Sequence, residues 1–321
     1  MTSREVVKRT INFETPDRYA FDFPEPYGSD FYLTGVDPSP DARPREGVDD
    51  WGCVWECLGT TQLGEVKESP LKDWKDFDKL TIPDIGRDDA FKHIRKVKDN
   101  AGDKYVLGNI MSMYERVHFV RGLENTWCDI IDEPDNLKMF VNKLADMNIE
   151  IIDGYKGHGI DGIMFCDDWG LQNRLMISPV SWREIWKPTY KRVFDAAHNE
   201  GMDVWMHSCG YISEILSDLI EVGLNAIHMD QQNNMGLEEL KNDFRGKITF
   251  FAPVDIQLMM KMNGPDGVRA YCREMADCLG TKEGGFIPRW YTDPKGVGHT
   301  KEYIDVMCEE FLTISREIYR K

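Results

Sequence analysis

A histidine and a cysteine two residues apart, His207 and Cys209 in the segment DVWMHSCG, are the pair in this sequence whose types best suit a metal ion. In extended backbone, side chains at positions i and i+2 lie on the same side, about 7 Å apart, so both can turn toward one ion. Zinc binds imidazole and thiolate, and a catalytic zinc needs only three protein ligands and an open position. The third ligand must come from elsewhere in the chain, and Asp230 is the nearest acidic candidate, with Asp168 and Glu115 after it. The alternative is two ordinary residues at the end of a buried strand.

The elements that position this pair are short apolar strands alternating with helices. The apolar segments after residue 84 are KYVLGNI, GIMF, DVWMH, NAIHMD, ITFFAPV and GGFIPRW. Such alternation is typical of a parallel sheet. There are about seven or eight such units if YAFDF at Tyr19–Phe23 counts as the first strand. This number predicts an α/β fold of the closed (β/α)8 TIM barrel type. An open doubly wound sheet is the alternative, but no G-x-G-x-x-G follows any strand.

The first part of the chain, residues 1–84, lacks this alternation. It is rich in Pro and Gly, and DDWGCVWECLG followed by GEVKESPL predicts a short β-hairpin. We expect this irregular N-terminal part to pack on the barrel, so that residues 1–321 form a single domain. CVWEC has the wrong spacing for a zinc knuckle, and we expect its cysteines to be packing residues.

Composition excludes several classes of function. Lys+Arg 39 against Asp+Glu 56 gives a formal net charge of −17, which argues against nucleic acid as a partner. The start lacks the apolar region of a signal peptide, and no stretch approaches the roughly 18 apolar residues that span a bilayer. Eight cysteines in a chain of this length do not resemble a secreted disulfide scaffold. We therefore expect a cytoplasmic protein with no membrane partner.

Polar and aromatic residues gather where the predicted strands end, which is the face that carries the active site in (β/α)8 barrels. We expect a small-molecule pocket there with apolar walls and few polar groups. For Met111 and Trp290 the alternative is ordinary core packing. The residues expected to bind substrate are Asn109, Met111, Trp169, Arg289, Trp290 and Tyr291.

Longer motifs point to a family. The sequence resembles the uroporphyrinogen decarboxylase superfamily, and within it the corrinoid-dependent methyltransferase branch, over nearly the whole chain. The similar segments are REVVKRTINFETPDR, DDWGCVWE, SPLKDW, YERVHFVRGLENTWCDIIDEPD, ISPVSWREIWKPTYKRVF, MHSCG and GGFIPRWYTDPKGV. The resemblance implies a (β/α)8 barrel of the uroporphyrinogen decarboxylase type with the site at the strand C-termini.

Two departures from the family narrow the expected activity. True uroporphyrinogen decarboxylases carry an M-R-Q-A-G-R segment that grips substrate carboxylates, whereas FDFPEPYGSDF here is acidic and has no arginine. The thiol methyltransferases complete a His-x-Cys zinc site with a late cysteine, which GGFIPRWYTDP lacks. The branch that remains takes a methyl group from an ether or similar small donor and passes it to a corrinoid protein.

Demethylation of an aryl methyl ether by Co(I) requires stabilisation of the departing phenolate oxygen, by a Lewis-acidic zinc or by a proton donor. We expect His207, Cys209 and Asp230 to hold zinc. Catalytic roles are expected for His207, for Glu115 as ligand or proton donor, and for Asp168 in orienting the substrate. Cobalamin is expected on a partner corrinoid protein, because the chain has no D-x-H-x-x-G motif.

Other activities remain open at this point. Methyl transfer could run from the corrinoid to an acceptor. In a metal-free decarboxylase or lyase of the same barrel, Asp168 and Asp230 would handle protons and Cys209 would be structural. A non-catalytic binding protein on the same scaffold is a third class, disfavoured by the many titratable groups on one face. The chain is also compatible with a homodimer.

Overall fold

The computed structural model describes residues 1–57, 64–86 and 89–319, and within these the strands form two sheets. The strands are β1 (Phe31–Gly35), β2 (Gly47–Val48), β3 (Val54–Glu56), β4 (Glu65–Glu68), β5 (Tyr105–Asn109), β6 (Gly162–Cys166), β7 (Asp203–His207), β8 (Ala226–His228), β9 (Thr249–Ala252) and β10 (Phe286–Pro288). The larger sheet has the order β1-β5-β6-β7-β8-β9-β10, with every neighbouring pair parallel. The prediction of an α/β barrel is confirmed.

The helices surround this sheet. They are α1 (Ser3–Ile11), α2 (Val97–Asn100), α3 (Tyr114–Arg121), α4 (Leu123–Asp132), α5 (Pro134–Tyr155), α6 (Pro179–Ile185), α7 (Lys187–Asn199), α8 (Ser213–Glu221), α9 (Leu237–Asp243), α10 (Gly264–Leu279) and α11 (Lys301–Tyr319). In α5, for example, Pro134 occupies the first turn, where its missing N–H costs nothing, and Leu137, Phe140, Val141 and Leu144 face the core. None of the described helices is both long and apolar enough to cross a membrane.

The ring of strands closes at one residue, Asp22. Its backbone N–H donates to Pro288 at 3.1 Å, and its carbonyl accepts from Trp290 at 2.9 Å. It also forms an antiparallel bridge with Ser29. The expected first strand at Tyr19–Phe23 is thus a single bridge, because a turn begins at Pro24 directly after it and ends the pairing. Its place at the edge of the sheet is taken by β1, which lies within the part of the chain expected to be irregular.

The barrel interior is a small apolar core sealed by α1 at the N-terminal ends of the strands. Three residues of α1 enter it, and the side chains that α1 meets are contributed by the strands and by Ala20. The buried residues of this cluster are Val6, Val7, Ile11, Ala20, Phe31, Tyr105, Leu107, Trp205, Ala226, Phe251 and Ile287. The bottom of the barrel is therefore closed, which leaves the C-terminal ends of the strands as its open end.

The smaller sheet, β2-β3-β4, is antiparallel and contains the predicted hairpin region, of which residues 58–63 lie outside the described residues. It packs on α3. The Cys53 thiol donates to the Phe119 carbonyl at 3.4 Å, and the Trp55 ring meets the Phe119 ring edge-on at 4.9 Å. Cys53 is thus a packing residue, as expected.

The segment DAFKHIRKVKDNAG has apolar residues at a spacing that predicts a helix, but its helical part is short. Only a 3-10 turn at Ile94–Lys96 followed by α2 is helical in this described segment. The apolar positions Phe91, Ile94 and Val97 are three residues apart, which suits the three-residue turn of a 3-10 helix as well as an α-helix.

Candidate metal centre

The strand register brings three pairs of polar residues together at the open end of the barrel. Cys166, the last residue of β6, pairs with His207, the last residue of β7. His207 in turn pairs with His228, the last residue of β8. Asp168, Cys209 and Asp230 each follow two residues after one of these positions. In parallel strands the C-terminal ends lie at one edge, so all six side chains meet there.

Two groups of possible ligands share His207. One is His207, Cys209 and Asp230, and the other is Cys166, Asp168 and His207; the ligand atoms of each group lie within 4.8 Å of one another. His207 Nε2 is 3.3 Å from the Cys209 sulfur and 3.4 Å from Asp168 Oδ1. Ligand atoms around a tetrahedral zinc lie about 3.3–3.8 Å apart. The His207–Cys209 and His207–Asp168 separations therefore match the spacing around zinc, and the nitrogen, sulfur and oxygen donors suit its chemistry.

The loop that carries Cys209 is locked against the loop that carries Asp168. The Cys209 N–H donates to Asp168 Oδ1 at 2.7 Å, and the Gly170 N–H donates to the Cys209 carbonyl at 3.2 Å. Gly210 has φ +77°, and a Cβ there would lie 2.3 Å from the Gly170 carbonyl oxygen. Only glycine fits this crossing, which fixes the sulfur beside the imidazole.

His228 is a member of the site that sequence reasoning missed. Its Nδ1 lies 3.0 Å from His207 Nδ1, and its Nε2 lies 3.0 Å from Asp230 Oδ1. Burial, with Arg289 acting in the same direction, lowers the pKa of His228 to about 3. Burial would raise the pKa of Asp230, but His228, His207 and Arg289 outweigh burial and lower it. The His228 ring is therefore neutral and links the His207 ring to a charged carboxylate.

Asp230 and His207 both lie in the cluster where they were expected. Burial opposes the charged form of His207, but Cys209 and Asp168 outweigh it and raise its pKa. Burial likewise raises the pKa of Cys209, although His207 acts in the opposite direction. The acidic groups around His207 thus stabilise a positive charge at this point. They would stabilise a bound cation in the same way.

Arg289 reaches the same cluster from the end of β10. It is buried, and one terminal nitrogen contacts the His228 ring. Its guanidinium lies 4.7 Å from the centre of the Phe251 ring, and its Nε is 3.7 Å from Asp22 Oδ2. Burial raises the pKa of Tyr291 to about 12, with Asp230 and Cys209 adding to the shift. Arg289 and Tyr291 therefore lie beside the candidate ligands.

Two adjacent acids at the end of β6 have different surroundings. Asp167 is fully buried and accepts hydrogen bonds from the N–H groups of Met113, Tyr114 and Glu115 and from the Tyr190 hydroxyl. Burial raises the pKa of Asp167 to about 8, whereas these hydrogen bonds favour its charged form. Asp167 thus anchors the start of α3, while Asp168, half-buried, faces His207.

Glu115 is held in place by an arginine of the N-terminal part. Both of its carboxylate oxygens accept from Arg43, at 3.1 and 2.9 Å, and Arg43 lines the same small cavity as Cys166. Burial raises the pKa of Glu115, with Arg43 opposing the shift and Asp168 adding to it. Sequence reasoning found Glu115 but not Arg43, because Arg43 lies in an irregular segment with no periodicity to place it.

The remaining predicted substrate residues are dispersed. Asn109 lies at the end of β5, beside a cavity of about 230 Å³ that Arg43 and Cys166 also line. Met111 and Trp169 are fully buried in the main core, and the Trp169 ring stacks on Tyr114 at 3.8 Å. Trp290 is half-buried against the same core. Contact of these four residues with a substrate stays a prediction.

Comparison with known proteins places the chain in a family. Residues 59–288 match the uroporphyrinogen decarboxylase (URO-D) family. A methyltransferase from Methanosarcina mazei has the same fold, with a TM-score of 0.68 at 13% sequence identity over 100% of both chains. A B12-independent methionine synthase from Shewanella sp. W3-18-1 gives a TM-score of 0.47 at 13% identity, over 72% of this chain and 66% of that chain. No curated protein matches the sequence. The family match covers more than half of the chain, and the chain belongs to the uroporphyrinogen decarboxylase family.

Proposed function

We propose that this protein is a corrinoid-dependent methyltransferase, which moves a methyl group from a small aryl methyl ether to the cobalt of a partner corrinoid protein. The observation that carries the proposal is the His207, Cys209 and Asp230 donor group at the open end of the barrel. In a chain of the URO-D family, these three donors would hold a zinc ion. That zinc would stabilise the oxygen that leaves when the methyl group is transferred. The fold shared with the Methanosarcina mazei methyltransferase supports testing this activity first.

In this proposal His207 Nε2, the Cys209 thiolate and an Asp230 oxygen hold the metal. Zinc, when bound, supplies Lewis acidity that stabilises negative charge on the ether oxygen. His207 Nδ1 is left to contact His228, which orients the ring and ties it to Asp230. Asp168, 3.4 Å from His207 Nε2, is assigned the role of orienting the substrate beside the metal.

The transfer breaks the bond between methyl carbon and oxygen, and the electron pair of that bond stays on oxygen. A Co(I) corrinoid on the partner protein would supply the electron pair for the new bond to the methyl carbon. The phenolate that is released takes up one proton. Glu115, a carboxylate held by Arg43 in the resting protein, would take up that proton from water and pass it on, because burial raises its pKa.

The corrinoid arrives on a partner protein that docks over the open end of the barrel, since α1 closes the other end. Both proteins are expected to act in the cytoplasm. Transfer in the opposite direction, from methylated corrinoid to an acceptor, uses the same site and is distinguished by which side of the reaction carries the methyl label.

The test combines metal analysis with a methyl-transfer assay on purified protein. We expect about one zinc per chain in the wild type, loss of that zinc in His207→Ala, and retention in His198→Ala, which removes an exposed histidine. Zinc-loaded enzyme should methylate cob(I)alamin with an aryl methyl ether as donor. Metal-free protein that remains fully active would contradict the zinc mechanism and favour the metal-free decarboxylase or lyase of this family.

A further inference from the structure

A cavity of about 810 Å³ lies between the N-terminal sheet and helices α3 and α4. Its volume falls in the range of small-molecule sites, roughly 300–1,000 Å³. Of the site residues predicted from the sequence, only Glu115 lines it. Its lining residues are contributed by the loop before β2, by β3 and β4 with the segment after β4, and by the adjoining ends of α3 and α4.

The walls of this cavity are aromatic and apolar. Trp55 and Phe119 form one side, with their ring centres 4.9 Å apart, and Val66 and Leu123 also contribute. Trp55 is held in place because its indole N–H donates to Asp49 at 3.0 Å. Fixed aromatic faces of this kind bind planar rings by offset or edge-on contact.

The charged groups of the lining cancel in pairs. Arg43 is bonded to both oxygens of Glu115, and Lys67 pairs with Glu65 at 2.9 Å. The other two, Lys72 and Glu124, are exposed at the rim and of opposite sign. The whole chain carries a net charge of −17, which repels anions at long range. The described lining residues therefore offer an anionic ligand no uncompensated buried cation.

The inner end of the cavity adjoins the candidate metal centre. Arg43 and Glu115 line the cavity, and Arg43 also lines the neighbouring cavity of about 230 Å³ together with Cys166, which belongs to the ligand group of Asp168 and His207. His118 also lines the cavity, and within the described part of the chain its buried Nδ1 has no hydrogen-bond partner. A phenolic hydroxyl is a group that can supply one, since it both donates and accepts.

We propose that this cavity binds the methyl donor, and that the donor is an uncharged methoxylated aromatic rather than an aromatic carboxylate. The ring lies on Trp55 and Phe119, with its hydroxyl group toward His118 and its methoxy group directed past Glu115 toward the candidate metal centre. This inference rests on the proposed function for the identity of the donor, but the cavity and its preference for uncharged rings can be tested by binding alone.

The experiment is isothermal titration of the zinc-loaded enzyme, without corrinoid protein, with guaiacol and with vanillate, which adds a carboxylate to the same methoxyphenol ring. Guaiacol is expected to bind at least about tenfold more tightly, because the carboxylate loses hydration without gaining a partner. Equal affinities, or tighter binding of vanillate, would overturn the preference for an uncharged ring.

Matched variants locate the binding. Leu123→Trp fills the cavity from a partly exposed position and should weaken guaiacol at least about tenfold, whereas Leu171→Trp, at a similarly exposed leucine outside the lining, should not. Lys72→Gln should leave both affinities within about twofold. If Lys72→Gln weakens vanillate alone, the cavity is an anion site and the proposal is wrong.

The binding result is separable from the methyl-transfer result. Guaiacol binding that Leu123→Trp removes, in an enzyme that transfers no methyl group, would leave the cavity assignment standing and contradict the proposed function. If Leu123→Trp leaves methyl transfer from guaiacol unchanged, the proposed function stands and the cavity assignment is contradicted.

Discussion

Acid should destabilise this protein partly through His118, a histidine on α3 whose ring is folded against Tyr114 and Phe119. Burial lowers the pKa of His118 from 6.5 to about 3, and Arg43 and Arg116 act in the same direction. The folded protein therefore keeps this ring neutral at a pH where the unfolded chain takes up a proton. We expect His118→Gln, which cannot titrate, to remove this part of the acid sensitivity.

The magnitude is obtained from linkage. The folded pKa is lowered, so the stability that neutral His118 contributes is complete above pH 6.5 and is lost as the pH falls toward 3. Between pH 7 and pH 5 one proton taken up only by the unfolded state costs about 2 kcal/mol. This figure depends little on the folded value, because any pKa well below 5 leaves the ring neutral over that interval.

The assay is urea unfolding at the two pH values, monitored by the fluorescence of the nine tryptophans. Between pH 7 and pH 5 the free energy of unfolding of the wild type should fall by about 2 kcal/mol more than that of His118→Gln. All other titrating groups are common to both proteins and cancel. His198→Gln, which removes an exposed histidine, should behave like the wild type. An equal fall in wild type and His118→Gln would refute the reasoning.

Three further predictions concern the site and its supports. Asp230→Asn should weaken zinc binding about 100-fold and Asp168→Asn about tenfold or less. Both affinities are measured by competition with a chelator. If Asp168→Asn weakens zinc binding more than Asp230→Asn does, Asp168 is the third ligand. Gly210→Ala should lower the free energy of unfolding in urea by about 2–4 kcal/mol. The control Gly201→Ala, whose added Cβ has nothing within 4 Å, should lower it by about 1 kcal/mol. Equal losses would contradict a steric clash at Gly210. Arg43→Met should cost about 3 kcal/mol, because it leaves a buried carboxylate unpaired, and a loss under about 1 kcal/mol would contradict this.

Sequence reasoning predicted the barrel and the face of the site because both depend on local patterns. The strands β5 to β10 are short apolar runs between helices, and the parallel register places the residues after each run at one edge of the sheet. His207, Cys209 and Asp230 could therefore be grouped from their positions along the chain. In contrast, β1 was missed because its exposed Leu33 interrupts the apolar pattern expected of a buried strand.

Residues that act across long separations could not be predicted in this way. Arg43 meets Glu115 across 72 positions, and nothing in the irregular segment around Arg43 specifies that partner. His228 had a usable signal, since it lies two residues before Asp230 in a strand and so points to the same side. The signal was missed because NAIHMD was predicted to be a strand that ends at Asp230. His228 was therefore placed inside the strand and not among the residues at its end.

The last and first strands of the barrel are joined through the single residue Asp22, and we call this junction the seam. Six of the junctions in the ring are ladders of paired strands, whereas the seventh strand and the first meet through this one residue. Local opening is cheapest where the fewest hydrogen bonds must break. Amide exchange should accordingly be faster at Trp290, whose N–H bonds to Asp22, than at the paired amides of β6 and β7. Since Arg289 lies in the same junction and contacts His228, each opening of the seam should also loosen one wall of the candidate metal centre.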